Sequence, residues 1–88
     1  MNLQKSSKEG KRYMVIINNK TYHFGQDGGS TYIDHKDKAK REAYIKRHKV
    51  NENWNAVNAG SLSRWILWGD STSIRENIKE YKKRFNVK

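Results

Sequence analysis

The sequence predicts an α+β fold in which an N-terminal β-hairpin is followed by three helices, in the order ββααα. Two runs rich in β-branched and aromatic residues, 13–17 and 20–24, are separated by only two asparagines, which is typical of a tight hairpin. Further along the chain, apolar residues recur at the spacing of one helical face: Ile74, Ile78, Tyr81 and Phe85. A chain of 88 residues has room for one small domain. We expect residues 1–10 to be a flexible segment and residues 11–88 to form that domain.

The hairpin has a predictable register because a two-residue turn at Asn18-Asn19 determines which residues face each other. The expected pairs are Ile17 with Lys20, Val15 with Tyr22, and Tyr13 with Phe24. One face of the hairpin is then mostly aromatic and aliphatic. An isolated hairpin is only marginally stable, so we expect this face to pack on the helices that follow.

The first helix is predicted at about residues 36–49, after a glycine-rich loop over residues 25–30. Asp34 or Asp37 can serve as its N-cap. Its basic side chains surround the helix axis instead of leaving one apolar stripe. Part of this helix is therefore expected to face something other than solvent or the protein core.

The second helix is predicted to begin at Asn58 or Ser61 and to end at Trp68, with Gly69 as a C-terminal cap. The third helix begins at a capping box over residues 73–76 and carries the apolar stripe described above. In a chain with few aliphatic residues, we expect the three tryptophans to lie in the core rather than to form a surface that binds bases: Trp54, Trp65 and Trp68.

The charge balance is strongly basic, with 19 Lys and Arg against 9 Asp and Glu and a net charge of +10. The excess lies in residues 1–12, 35–49 and 74–88, which carry +3, +5 and +4. Such a density is self-repulsive, and binding to a polyanion relieves it. The absence of cysteine excludes disulfides and thiolate metal sites. No apolar run approaches the roughly 18 residues of a membrane span, and the polar N-terminus argues against a secretory signal.

Several motifs of the chain resemble a family of small basic proteins of unknown function from large eukaryotic DNA viruses and some bacteriophages. They are Phe24-Gly25, Asp34-His35-Lys36-Asp37, Tyr44-Ile45-Lys46-Arg47-His48, Glu52-Asn53-Trp54, residues 59–68 and Tyr81-Lys82-Lys83-Arg84-Phe85. The resemblance implies a viral origin and a compact fold. It implies no activity.

The leading functional hypothesis is a non-enzymatic, sequence-tolerant DNA-binding protein of a DNA virus that is packaged with the genome. Lys and Arg side chains supply affinity for phosphates but little sequence information. The candidate nucleic-acid-binding residues are Lys36, Lys38, Lys40, Arg41, Lys46, Arg47, Lys49, Lys79, Lys82, Lys83 and Arg84. The expected location is the virion or the interior of the infected cell.

Two alternatives remain open at this point. A small structural protein of the virion could use the same charge against acidic capsid proteins. A metal-dependent nuclease could use histidines from a hairpin and a helix to hold a metal. However, His35 and His48 would lie at opposite ends of the first helix, about 20 Å apart, and His23 completes no known metal-ligand spacing. We therefore assign no catalytic residue, metal or cofactor.

Overall fold

A computed structural model describes residues 1–88 and confirms an α+β domain, with a three-stranded antiparallel sheet and four α-helices. The strands are β1 (Gln4–Lys5), β2 (Lys11–Ile17) and β3 (Lys20–Gln26). The helices are α1 (Tyr32–His35), α2 (Lys38–Lys49), α3 (Ala59–Leu62) and α4 (Ile74–Phe85). A π-helical segment, Ser63–Leu67, continues α3. The chain contains no helix with both the length and the apolar character that crossing a membrane requires.

The hairpin has the predicted register. Ile17 pairs with Lys20, Val15 with Tyr22 and Tyr13 with Phe24. Asn18 and Asn19 adopt left-handed backbone angles, with φ of 51° and 66°. Two successive left-handed residues match the twist of the adjoining strands, and asparagine tolerates this conformation better than most residues.

The N-terminal segment contributes a short edge strand that the sequence did not indicate. In β1, Gln4 pairs with Met14 and Lys5 with Tyr13, so the sheet order is β1-β2-β3. Met1 and Leu3 are partly buried against the core. A strand of two residues is too short to show a periodic pattern, and it can be identified only from its pairing with the edge of β2. The mobility of residues 1–10 stays a prediction.

The hydrophobic core lies between the apolar face of the hairpin and the helices that follow it, as expected. Its fully buried members come from β2, β3, α3, the π-helical segment and α4: Val15, Ile17, Phe24, Leu62, Ile66, Leu67 and Tyr81. The predicted stripe of α4 is also turned toward this core, with Tyr81 buried and Ile78 and Phe85 partly buried. The Tyr81 hydroxyl is bonded to Ser61 Oγ at 2.9 Å, which satisfies both groups inside the core.

The helix predicted at about residues 36–49 begins at Lys38, and a separate short helix that was not predicted, α1, precedes it. Lys36 adopts a left-handed conformation with φ of 57° and ends α1, and α2 begins two residues later. The two candidate N-caps therefore serve different helices. Asp34 closes a capping box with Thr31 in α1, whereas the Asp37 carboxylate accepts hydrogen bonds from Ala39 N and Lys40 N in α2.

Gly69 is required for a different reason from the predicted one. Its φ is not left-handed, so it is not a helix cap of the expected type. A Cβ atom on Gly69 would lie 2.3 Å from the Trp65 carbonyl oxygen and 2.7 Å from Asn77 Cγ. Glycine is therefore needed because no Cβ atom fits between the Trp65 carbonyl of the π-helical segment and Asn77 of α4. Asn58 is the N-cap of α3, where its side chain accepts from Ser61 N.

Candidate nucleic-acid interface

Helix α2 presents most of its surface to solvent, and that surface is cationic. Tyr44 is its only buried residue. The exposed basic side chains of the helix are Lys38, Lys40, Lys46, Arg47 and Lys49, and Lys36 is exposed in the turn before it. The 12 residues of α2 span about 18 Å at 1.5 Å per residue. We call these five helical side chains the α2 cationic surface.

The charges of the α2 cationic surface are not neutralised within the protein. Only three Lys or Arg side chains form ion pairs with carboxylates: Arg12, Arg41 and Lys83. None of the five side chains of the α2 cationic surface is among them. Their positive charge therefore remains available to an external anion.

Arg41 is the candidate residue of α2 whose side chain is hydrogen-bonded within the protein. Its Nε donates to the carbonyl oxygens of Trp68 and Gly69, at 3.2 Å and 3.0 Å, and a terminal nitrogen donates to Asp70 at 2.7 Å. The guanidinium also lies over the Tyr32 ring, 5.4 Å from its centroid. Arg41 thus anchors α2 to the end of the π-helical segment, and its contact with nucleic acid stays a prediction.

The predicted basic residues of α4 form a second group, separate from α2. Lys79, Lys83 and Arg84 are exposed and Lys82 is half-buried. Helix α4 packs on the π-helical segment, whereas α2 adjoins α1. The Arg84 guanidinium lies over the Trp65 ring, 3.6 Å from its centroid. The eleven candidates therefore lie on two separate helical surfaces and the α1–α2 turn.

Beside the α2 cationic surface, four rings form a connected series that we call the aromatic ladder: His35, Trp68, Tyr44 and His48. Tyr44 stacks on Trp68 with centroids 4.2 Å apart and planes 2° apart, and on His48 at 4.3 Å and 27°. His35 contacts Trp68 at 5.3 Å. His35 and His48 are far apart along the chain, but both belong to the aromatic ladder. Helical spacing alone could not show this, because Trp68 comes from another element.

Hydrogen bonds hold the two histidines of the ladder in place. His48 Nδ1 is bonded to a Glu52 carboxylate oxygen, and the other oxygen of Glu52 accepts from Trp54 Nε1 at 2.9 Å. His35 Nδ1 accepts from Asp37 N at 2.9 Å, while its Nε2 is buried without a partner. Burial, reinforced by the nearby Glu52 charge, raises the pKa of Tyr44 well above its ordinary value. Tyr44 therefore stays neutral at physiological pH.

The ladder forms part of the wall of a cleft of about 770 Å³. Its lining comes from the start of β2, the end of β3 and the glycine-rich loop, with Gly25 and Gly29, and from Thr31. Residues of α2, α3 and the π-helical segment line it as well. Three cations, Lys11, Lys40 and Arg47, also line it. The cleft is therefore both aromatic and positively charged, a combination that the sequence analysis did not predict.

The π-helical segment determines how Trp68 reaches this cleft. Trp68 N donates to the Ser63 carbonyl oxygen at 3.0 Å, a bond of the i to i+5 type. Such turns are rare and occur frequently at functional sites. Ser63, Leu67 and Trp68 all line the cleft, so the irregular turn presents its side chains to the space beside α2.

The remaining candidate groups lie elsewhere. His23 is bonded to Ser6 Oγ on the sheet, at 2.7 Å, and no group of three His, Asp or Glu residues with the arrangement of a metal site is present. Trp54 and Trp65 are half-buried and flank Arg64, whose guanidinium lies 5.3 Å and 4.1 Å from their ring centroids. Burial lowers the pKa of Arg64. No sequence pattern distinguished this buried arginine from the exposed ones.

Together these features define a small basic α+β domain with an unneutralised helix beside an aromatic cleft. Residues 1–48 match the family of unknown function DUF5754. The match covers more than half of the chain, and the protein belongs to this family. It includes the sheet, α1 and nearly all of α2. No curated protein and no solved structure matches the chain.

Proposed function

We propose that this protein binds nucleic acid without sequence preference, and that α2 is its main contact with the phosphate backbone. The observation that carries this proposal is the α2 cationic surface, five exposed Lys and Arg side chains on one helix, none with a carboxylate partner. Long-chain cations on an exposed helix can each meet a phosphate.

The dimensions of the helix support the proposal. A duplex carries one phosphate charge per about 1.7 Å of its axis, so a helix of about 18 Å lies alongside several phosphates at once. The contacts made by Lys and Arg to phosphate carry no base information. Binding is therefore expected to depend on charge and salt and to vary little with sequence.

We further propose that the nucleic acid is the DNA genome of a virus and that the protein is packaged with it and has no enzymatic role. The support is the motif resemblance described above, together with the net charge of +10. Genome packaging requires neutralisation of phosphate charge, and a basic domain of this size supplies it without a specific recognition site.

The test is a titration of the full chain into fluorescently labelled duplex DNA of random sequence at several salt concentrations. We expect the logarithm of the association constant to fall linearly with the logarithm of salt concentration. The slope then reports the number of phosphates neutralised, at about 0.9 per contact. Parallel incubation of plasmid DNA with Mg²⁺, Mn²⁺ or Zn²⁺ would reveal a nuclease activity if one exists.

Weak or salt-insensitive binding would contradict the proposal. The α2 cationic surface would then fit an acidic protein better, as in a structural protein of the virion. Particle disruption separates these two functions, because a genome-bound protein leaves with the DNA after nuclease or salt treatment, whereas a capsid-bound protein stays with the shell.

A further inference from the structure

We propose that the cleft beside α2 holds one unpaired nucleotide, with its base against the aromatic ladder and its phosphate on the cations of the rim. This inference rests on the proposed function and adds to it a preference for single strands, because a paired base inside a duplex cannot enter a cleft. The protein is thus expected to bind single strands through their bases as well as their phosphates.

The size and lining of the cleft suit a polar ligand of nucleotide size. Its volume of about 770 Å³ falls within the range of about 300–1,000 Å³ that small-molecule sites occupy. Only six of its twenty lining residues are hydrophobic, which disfavours a lipid or another apolar ligand.

The wall of the cleft offers the groups that recognise a base. Aromatic side chains provide stacking surfaces for any base, regardless of sequence. Because Tyr44 is stacked between Trp68 and His48, the base would contact the outer rings of the ladder. Among them, His35 has a buried Nε2 without any hydrogen-bond partner. A buried polar nitrogen that lacks a partner costs free energy, so a nucleotide that shifted the His35 ring enough to bond this nitrogen would gain binding energy. Glu52, which also lines the cleft, is a second polar group near the ladder.

The cations of the cleft come from two elements. Lys40 and Arg47 lie two turns apart on α2, and Lys11 lies at the start of β2; all three line the cleft. None of the three has a carboxylate partner. A nucleotide phosphate between these side chains would continue the path of the strand along α2.

Helix α2 leaves the cleft open where it carries a small side chain. Ala43 is exposed and lines the cleft, whereas Ala39, one turn earlier and equally exposed, does not line it. The two positions therefore form a matched pair, because Ala43→Leu fills part of the cleft and Ala39→Leu adds the same atoms to the same helix outside it.

The experiment compares the affinity of the full chain for a DNA single strand and for an abasic strand of equal length, which keeps the phosphates and lacks the bases. Wild type is expected to bind the base-containing strand about tenfold more tightly, a preference of about 1.4 kcal/mol. Ala43→Leu is expected to lose most of this preference and Ala39→Leu to keep it. Both variants should bind duplex DNA with the wild-type salt slope, and their circular dichroism spectra should match that of wild type.

The outcomes separate this inference from the proposed function. Salt-dependent duplex binding with no base preference in wild type would overturn the cleft inference and leave the proposed function intact. Equal base preference in Ala43→Leu and Ala39→Leu would likewise show that bases bind outside the cleft. Absence of salt-dependent binding to any of the three DNA ligands would overturn both.

Discussion

The ring of Tyr44 lies parallel to the indole of Trp68, with centroids 4.2 Å apart and planes 2° apart. Tyr44 is the only buried residue of α2, and Trp68 directly follows the π-helical segment. This stack, with the hydrogen bonds of Arg41, therefore holds the cationic helix against the rest of the domain. A helix whose other side chains are mostly charged has little else to pack with.

Removal of the Tyr44 ring is expected to destabilise the protein strongly. Tyr44→Ala should lower the free energy of unfolding by about 3 kcal/mol, the usual cost of deleting a buried aromatic ring. Urea unfolding followed by circular dichroism measures this value. Lys46→Ala on the exposed side of the same helix serves as the control and should change stability by no more than about 0.5 kcal/mol. A loss below about 1 kcal/mol in Tyr44→Ala would show that the stack does not hold α2.

We expect replacement of the Asn77 amide by a carboxylate to destabilise the protein. Its Nδ2 donates to the carbonyl oxygens of Ile66 and Ser71, at 2.8 Å and 2.7 Å, and its Oδ1 accepts from Ser71 N at 3.1 Å. In Asn77→Asp a buried negative charge would face the two carbonyl oxygens in place of donors. We expect a loss of about 3 kcal/mol or more at neutral pH, since lone buried acceptors and charges are costly.

The pH dependence of the Asn77→Asp variant provides the check. The buried carboxyl should have a raised pKa in the folded state, so the destabilisation should diminish as the pH falls and the group becomes neutral and able to donate one hydrogen bond. Unfolding measurements from neutral to acidic pH would show this trend. A deficit that stays constant with pH would contradict the assigned role of the Asn77 donors.

The bidentate pair of Arg12 and Asp34 predicts acid sensitivity. Two guanidinium nitrogens each lie 2.7 Å from a carboxylate oxygen, and this pair, with Thr31, holds the pKa of Asp34 well below its ordinary value. Because the folded pKa is lowered, the stabilisation is complete above the unfolded pKa of about 3.9. It is lost as the pH falls below that value.

Asp34→Asn is therefore expected to be less stable than wild type at neutral pH and to approach it below about pH 4. Thermal or urea unfolding across this range measures the difference. Asp27→Asn is the matched control, since Asp27 is exposed and forms no ion pair. If the two variants had the same pH profile, the Arg12–Asp34 pair would contribute no measurable stability.

Charge reversal on α2 should weaken duplex binding in a salt-dependent way. Lys46 is exposed and lies outside the cleft lining, so Lys46→Glu tests phosphate contact alone. We expect weaker binding on every sequence of a random set and a salt slope lower by about 0.9 or more in magnitude. Lys20→Glu at the hairpin turn changes the net charge equally. Equal losses in both variants would indicate a general charge effect rather than contact through α2.

The parts of this fold that could be predicted depend on short-range rules. The hairpin register follows from two adjacent asparagines, and the α4 stripe follows from the spacing of four apolar residues. Other features did not follow from the sequence. The short helix α1, which ends at Lys36 before the predicted first helix, was not predicted, and Gly69 is required because no Cβ fits between the Trp65 carbonyl and Asn77 of α4.

The candidate site likewise has some features that could be predicted from the sequence and others that could not. The basic residues of α2 could be identified from charge alone, although only the structure shows that Arg41 is engaged by Trp68, Gly69 and Asp70. The cleft could not be predicted, because its wall combines residues from the sheet, the glycine-rich loop, α2 and the π-helical segment. Glu52 belongs to one of the motifs that carry the family resemblance, but its hydrogen bonds to both His48 and Trp54 could not be predicted.

By itself, the sequence determined the α+β class, the hairpin register, the apolar face of α4 and the location of the excess positive charge. Each of these depends on residue type and on neighbours within about one or two turns of chain. The tertiary structure alone decided that Trp68 stacks on Tyr44, that His35 and His48 join one aromatic ladder, and that a cleft opens beside the cations of α2. These relationships depend on how separate elements pack, and no local spacing encodes the distance between them.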